Sequence, residues 1–187
     1  LKFLGKYYNQ YKKINLADFK KIIIENINTD IFSIDIDGID YWLLNELPYQ
    51  YSKIVVAEYN PIFGSKLELS VPYDEDFDRI NYHYSNLCYG ASIRAIKKLM
   101  EKKGFKLIGV NDLKNNAFFL SNDELNKINL NTISDSDLDE LCDFNFRESR
   151  NKYGKLTYLN KKDAFKLISG CKVFDIKSKS VITLSEL

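Results

Sequence analysis

The sequence predicts an α/β fold, on three observations. Two apolar, β-branched runs, Asp30–Asp37 and Lys53–Asn60, each end in polar groups. A short helical stretch between them makes a βαβ unit and implies parallel pairing. The clearest amphipathic helix, Ala91–Lys103, leads into two further strands joined by only five residues, too few for anything but an antiparallel pair.

The elements follow in order. Leu16–Asn28 sets Leu16, Phe19, Ile22 and Ile23 at helical spacing, with Asn15 as N-cap and Asp18 in the first turn. Asp30–Gly38 reads as a strand buried on both faces that delivers carboxylates at its C-terminal end. Asp40–Leu47 is a short helix stopped by Pro48, and Lys53–Asn60 repeats the strand design. Ile62–Tyr89 is an excursion rich in Tyr, Asp and Asn; loops of that length are usually functional. In Ala91–Lys103 the stripe is Ile93, Ile96, Leu99 and Met100, with Gly104 as the residue after the helix. Phe105–Val110 and Asn116–Leu120 form the antiparallel pair. Beyond Ser121 the pattern weakens to an acidic stretch at Asp135–Asp143, a short helix at Lys161–Ser169 and a hairpin within Val173–Leu184. The expected organisation is an α/β unit over 1–125 and a small α+β appendage over 126–187.

Composition narrows the function. With 187 residues, 45% of them hydrophobic, the chain buries a core and is neither disordered nor a coiled coil. The formal charge of +1 gives no global field for nucleic acid, and Tyr73–Asn86 is acidic, with Asp74, Glu75, Asp76 and Asp78 against Arg79. No G-x-G pair occurs, and Gly104–Gly109 is followed by Val110-Asn111, which excludes a phosphate loop. Cys88, Cys142 and Cys171 lack metal-ligand spacing, so reduced cytoplasmic thiols are expected. No apolar run approaches the ~20 residues of a membrane span. Leu1–Gly5 carries no signal-peptide features, and a first residue other than Met suggests a fragment.

In an open parallel sheet ligands bind beyond the carboxyl ends of the strands. Asp35, Asp37 and Asp40 stand at the first such end, Glu58 and Asn60 at the second. These oxygens suit a hard divalent cation, ribose hydroxyls or an ammonium group; Asp37 or Asp40 could instead cap the following helix. His83, the only histidine, is a candidate general base or a packing residue. Cys88 reads as a small buried hydrophobe. Tyr73, Tyr82, Tyr84 and Tyr89 are the aromatics placed for substrate contact.

Ser33-Ile34-Asp35-Ile36-Asp37-Gly38-Ile39-Asp40-Tyr41-Trp42, Val55-Val56-Ala57-Glu58-Tyr59-Asn60, Val71-Pro72-Tyr73-Asp74 and Tyr89-Gly90-Ala91-Ser92 occur in this order. Together they resemble FkbM-like S-adenosylmethionine-dependent methyltransferases of bacteria, a family often found near surface-polysaccharide genes. The resemblance spans about Asn26 to Asp123 and touches Phe146–Arg150 and Gly154–Leu159. It implies a partial Rossmann-like class I methyltransferase sheet, strands four to seven, with the last two antiparallel. Asp35, Asp37 and Gly38 match a Lys-Ile-Asp-Val-Glu-Gly type motif, with Ser33 in place of the Lys.

What the resemblance implies is O-methyl transfer from S-adenosylmethionine to a sugar or other hydroxylated small molecule. Asp37, Glu58 and His83 are then the expected catalytic residues, and Asp35 contacts the cofactor. Asp37, Glu58 and Asn60 are the expected ligands of Mg²⁺ or another divalent cation. A cytoplasmic protein with no nucleic-acid partner and no membrane span is expected, with a homo-oligomer as one form it could take. The glycine turn that holds the cofactor in this fold is absent from the sequence, so the alternative is a non-catalytic methyltransferase-like interaction module. A metal-dependent phosphodiesterase needs more histidines and ranks last.

Overall fold

The computed structural model describes residues 14–26, 29–143 and 149–187. Residues 27 and 28 of the first expected helix, and Phe146-Arg147-Glu148 of the tail motif, lie outside them. Helix α1 (Leu16–Glu25) is capped by Asn15, whose side chain accepts the Asp18 N–H at 2.9 Å. Strand β1 (Thr29–Ile34), helix α2 (Asp40–Glu46) and strand β2 (Ser52–Glu58) complete the βαβ unit, with β1 and β2 parallel as expected. Strand β3 (Leu69–Ser70) and helix α3 (Arg79–Tyr82) lie in the excursion, which is therefore not structureless. Helix α4 (Ile93–Lys102) is followed by β4 (Phe105–Val110), β5 (Asn116–Ser121) and a single turn, α5 (Asn122–Leu125). Helix α6 (Lys161–Leu167) and the hairpin β6 (Lys172–Asp175) and β7 (Ser180–Thr183) close the chain.

The main sheet has the order β1-β2-β5-β4. Strand β5 runs antiparallel to both of its neighbours, so β4 runs the same way as β1 and β2. A bulge at Ile108 interrupts the β4–β5 register. Helices α1, α2 and α4 pack on one face: Phe19 and Ile23, Leu43 and Leu44, and Ile93, Ile96 and Met100 meet Phe32, Val55, Leu107 and Phe119.

The opposite face is open, which corrects the expectation that β1 is buried on both sides. Phe32 and Ile34 are core, whereas Ile31 is 51% exposed and Ser33 is also exposed. Ile54, Val56, Ile108 and Phe118 share that half-covered face. A second correction concerns the acids: β1 ends at Ile34, so Asp35 and Asp37 stand beyond the strand and are exposed.

The tail does not stand apart from the excursion. Strand β3 pairs antiparallel with β6, and Ile62, Phe63, Leu69, Val71 and Leu87 form a second core with Ala164, Ile168, Val173 and Leu184. Trp42 joins the two bodies: its indole N–H donates to the Val71 carbonyl at 2.9 Å, and its ring meets Phe174 at 5.0 Å between centroids.

A candidate acidic site at the ends of two parallel strands

The turn after β1 is built by an acid. Asp40, fully buried at the start of α2, accepts the N–H groups of Ile36 and Gly38, each at 3.0 Å. Burial pushes its carboxyl up to about 6, against the opposing pull of those two bonds. Asp40 is thus the structural acid of the rim. Gly38 is required beside it, because a Cβ there would come within 2.4 Å of the Phe77 ring. Asp37 has φ of +58°, a left-handed conformation that Asp tolerates better than most residues.

That turn carries Asp35 and Asp37 to the end of β2, where Glu58 closes the group. One carboxylate oxygen from each of Asp35, Asp37 and Glu58 lies within 4.8 Å of the others. Glu58 is only 4% exposed, and its Oε2 is buried without a hydrogen-bond partner. Burial pushes its carboxyl up to about 9; Asp35, Asp40 and Asp37 add to the rise and Arg79 opposes it.

Arg79 is the cation of the site. From the start of α3 it pairs with Asp37, donates through Nε to the Asn86 carbonyl at 2.7 Å and lies 3.7 Å above the centroid of the Tyr89 ring. The sequence singled out Asp37 and Glu58 but gave Arg79 no role. A signal was present: Arg79 is the only Lys or Arg between Lys66 and Arg94, in a segment otherwise acidic.

Two other expected site residues are engaged elsewhere. Asn60 is fully buried, donates to the carbonyls of Leu87 at 2.9 Å and Tyr89 at 3.0 Å, and accepts the Ile62 N–H at 3.0 Å. It clamps the excursion onto β2 and caps the 3₁₀ turn Pro61–Phe63. His83 ends α3, where its Nδ1 lies 2.6 Å from Ser85 Oγ and its ring stacks on Tyr84 at 4.5 Å. Burial lowers its pKa. It stands outside the acidic trio. Of the tyrosines, Tyr73 and Tyr84 are exposed, Tyr82 donates to the Lys172 carbonyl at 2.7 Å and Tyr89 supports Arg79.

Three carboxyl groups, one with a buried oxygen that has no hydrogen-bond partner, suit a hard divalent cation, which would displace the Glu58 proton and satisfy that oxygen. S-adenosylmethionine fits less well. Asp35 could meet its amine or hydroxyls, but these residues include no glycine turn for its methionine and ribose portions. Comparisons of the chain with protein families, curated proteins and solved structures found no match. Among the described residues, no helix is long and apolar enough to cross a membrane.

Proposed function

We propose that this rim is the acceptor side of an S-adenosylmethionine-dependent O-methyltransferase of the FkbM-like type. The observation that carries the reading is the trio of acids at the carboxyl ends of a parallel strand pair, with Glu58 buried and one oxygen unpartnered. Support also comes from strand order and sense. The order β1-β2-β5-β4, a parallel pair followed outward by a reversed strand and then the strand that precedes it in the chain, is compatible with the carboxyl half of the sheet that the resemblance implies.

In this reading Asp35, Asp37 and Glu58 hold a divalent cation, and Asn60 positions Tyr89 rather than serving as a ligand. The charge of a cation held by these residues would ease loss of the proton from an acceptor hydroxyl. Arg79 offsets part of the acids' charge through its ion pair with Asp37. The exposed faces of Tyr73 and Tyr84 offer apolar contact to a hydroxylated small molecule such as a sugar. The 187 residues contain no G-x-G turn for a methyl donor, and no step is assigned to the donor. A second reading, a non-catalytic module of the same fold, is favoured by Arg79 already pairing with Asp37.

Calorimetry of the full-length protein with S-adenosylhomocysteine and with Mn²⁺ separates these readings. Binding of both is expected, with Mn²⁺ affinity falling at least tenfold in Asp37→Asn and Glu58→Gln. Folded protein that ignores S-adenosylhomocysteine overturns the methyltransferase reading and leaves the module. Unchanged Mn²⁺ binding in both variants overturns the site.

A further inference from the structure

The formal charge of +1 conceals a division along the chain. Residues 149–174 hold seven of the 27 Lys and Arg but one of the 26 acids, Asp163, so that the rest of the chain is net negative. The basic segment opens on a hairpin. Arg150 bridges antiparallel to Leu156, and between them the Asn151 side chain accepts the N–H groups of Tyr153 at 2.9 Å and Lys155 at 3.0 Å. Its returning arm is held by Ser149, fully buried, whose Oγ accepts the Leu159 N–H at 3.0 Å and the Thr157 hydroxyl at 2.8 Å. Tyr158, caught between those two bonds, has φ of +50°, a conformation rare for a bulky side chain, and its ring is turned out. The hairpin rests on the excursion, where the Arg150 N–H donates to the Ser85 carbonyl at 3.2 Å.

We propose that this hairpin, residues 149–159, docks the protein on the surface of an anionic lipid bilayer. Tyr153 is 83% exposed, Tyr158 61% and Leu156 44%, an apolar set that a tight surface turn does not need for its own folding. Lys152 and Lys155 stand among them, exposed, and among the described residues neither has an ion-pair partner. Tyrosines and a leucine interleaved with lysines are the composition of a membrane interface: the rings and the aliphatic chain enter the boundary below the headgroups, while the ammonium groups stay at the phosphates. Leu156 favours a bilayer over a single-stranded nucleic acid, because it has no flat face on which a base could stack. The net negative remainder of the chain is repelled by the same surface, so attraction is confined to the basic segment and fixes which face turns inward. The docking is independent of what the acidic rim binds.

The test is co-sedimentation of the intact protein with vesicles of phosphatidylcholine alone and of phosphatidylcholine mixed with phosphatidylglycerol. Binding to the mixed vesicles only is expected, weakening as salt is added. Partitioning should fall about fivefold for each lysine removed in Lys152→Gln and Lys155→Gln. Tyr153→Ser with Leu156→Ser should also weaken it several-fold, with the salt dependence retained. Lys21→Gln with Lys102→Gln removes the same charge from exposed positions on α1 and α4 and should leave partitioning unchanged. Equal binding to both kinds of vesicle, binding to neither, or equal losses in the two lysine pairs overturns the proposal. So does tighter binding of a fluorescein-labelled oligothymidylate than of the anionic vesicles, which would make the hairpin a nucleic-acid contact.

Discussion

Asp40 and Glu58 are both buried carboxyls, and the chain treats them in opposite ways. Asp40 receives two N–H bonds, whereas one oxygen of Glu58 receives none. For Asp40 the consequence is a pH dependence of stability. The folded chain keeps the proton up to about 6, whereas the unfolded chain releases it near 3.8. The native state therefore binds more protons between those values, and stability falls as pH rises from about 4 to 6, on the order of 2 kcal/mol from this group. Glu58, whose carboxyl is pushed up to about 9, adds a fall of the same sign that continues above pH 6. Urea unfolding at a series of pH values should show the combined fall, and Asp40→Asn should reduce it between about 4 and 6 without abolishing it, while lowering stability throughout by about 1–3 kcal/mol through a lost N–H acceptor. At Arg79 the expectation concerns binding. Arg79→Met removes a positive charge beside the acids and should tighten Mn²⁺ binding several-fold in a calorimetric titration; weaker binding would mean that Arg79 positions the ligands. Asp35, Asp37 and Glu58 were legible in the sequence because a strand that ends in acids announces its rim. Arg79 was not, since its pairing depends on a fold-back that no periodicity encodes. Asn60 carried its own overlooked signal, an Asn before Pro61, which is the signature of a cap.

Elements are set by a few contacts that do not scale with their length. Helix α4 begins at Ser92, whose hydroxyl accepts the Ala95 N–H at 3.2 Å and donates to the Leu67 carbonyl at 2.6 Å. Ser92→Ala should cost about 1–3 kcal/mol, above an ordinary cap, because it also takes the hydroxyl partner from the buried Leu69 N–H and the part-buried Leu67 carbonyl. The β1–α2 turn rests on the contact between Gly38 and Phe77. Gly38→Ala should cost roughly 1–3 kcal/mol as overpacking, and Phe77→Leu in the same chain should recover part of it. Additive losses in the double variant would place the strain elsewhere. At this scale the sequence read well for α2, α4, β4 and the final hairpin, whose apolar periods are unambiguous. It misread β1, because the run Ile31-Phe32-Ser33-Ile34 looks the same whether its second face is covered or open. Strand β3, two residues long, carries no pattern at all; it exists because β6 pairs with it and Ser70 bridges to Ala91.

For the whole molecule the question is whether two cores behave as one. Trp42, the only tryptophan, lies at their junction and reports on both. Tryptophan fluorescence and far-ultraviolet circular dichroism should therefore give coincident urea transitions, and separated midpoints would show two independently unfolding bodies. Trp42→Phe keeps a ring against Phe174 but strands the Val71 carbonyl, at a cost of about 1–3 kcal/mol. That the tail completes the excursion's core was beyond the sequence, since neither segment alone shows a full apolar face. The open flank of the sheet has a further consequence, in the time domain. Among the described residues β1 has a neighbour on one side only, so its amides alternate between a partnered row and a bare one. Hydrogen exchange along this strand should run at two rates, odd and even residues apart. Anything that later occupies the bare edge, whether another stretch of polypeptide or another molecule, will register first as a slowing of the faster set.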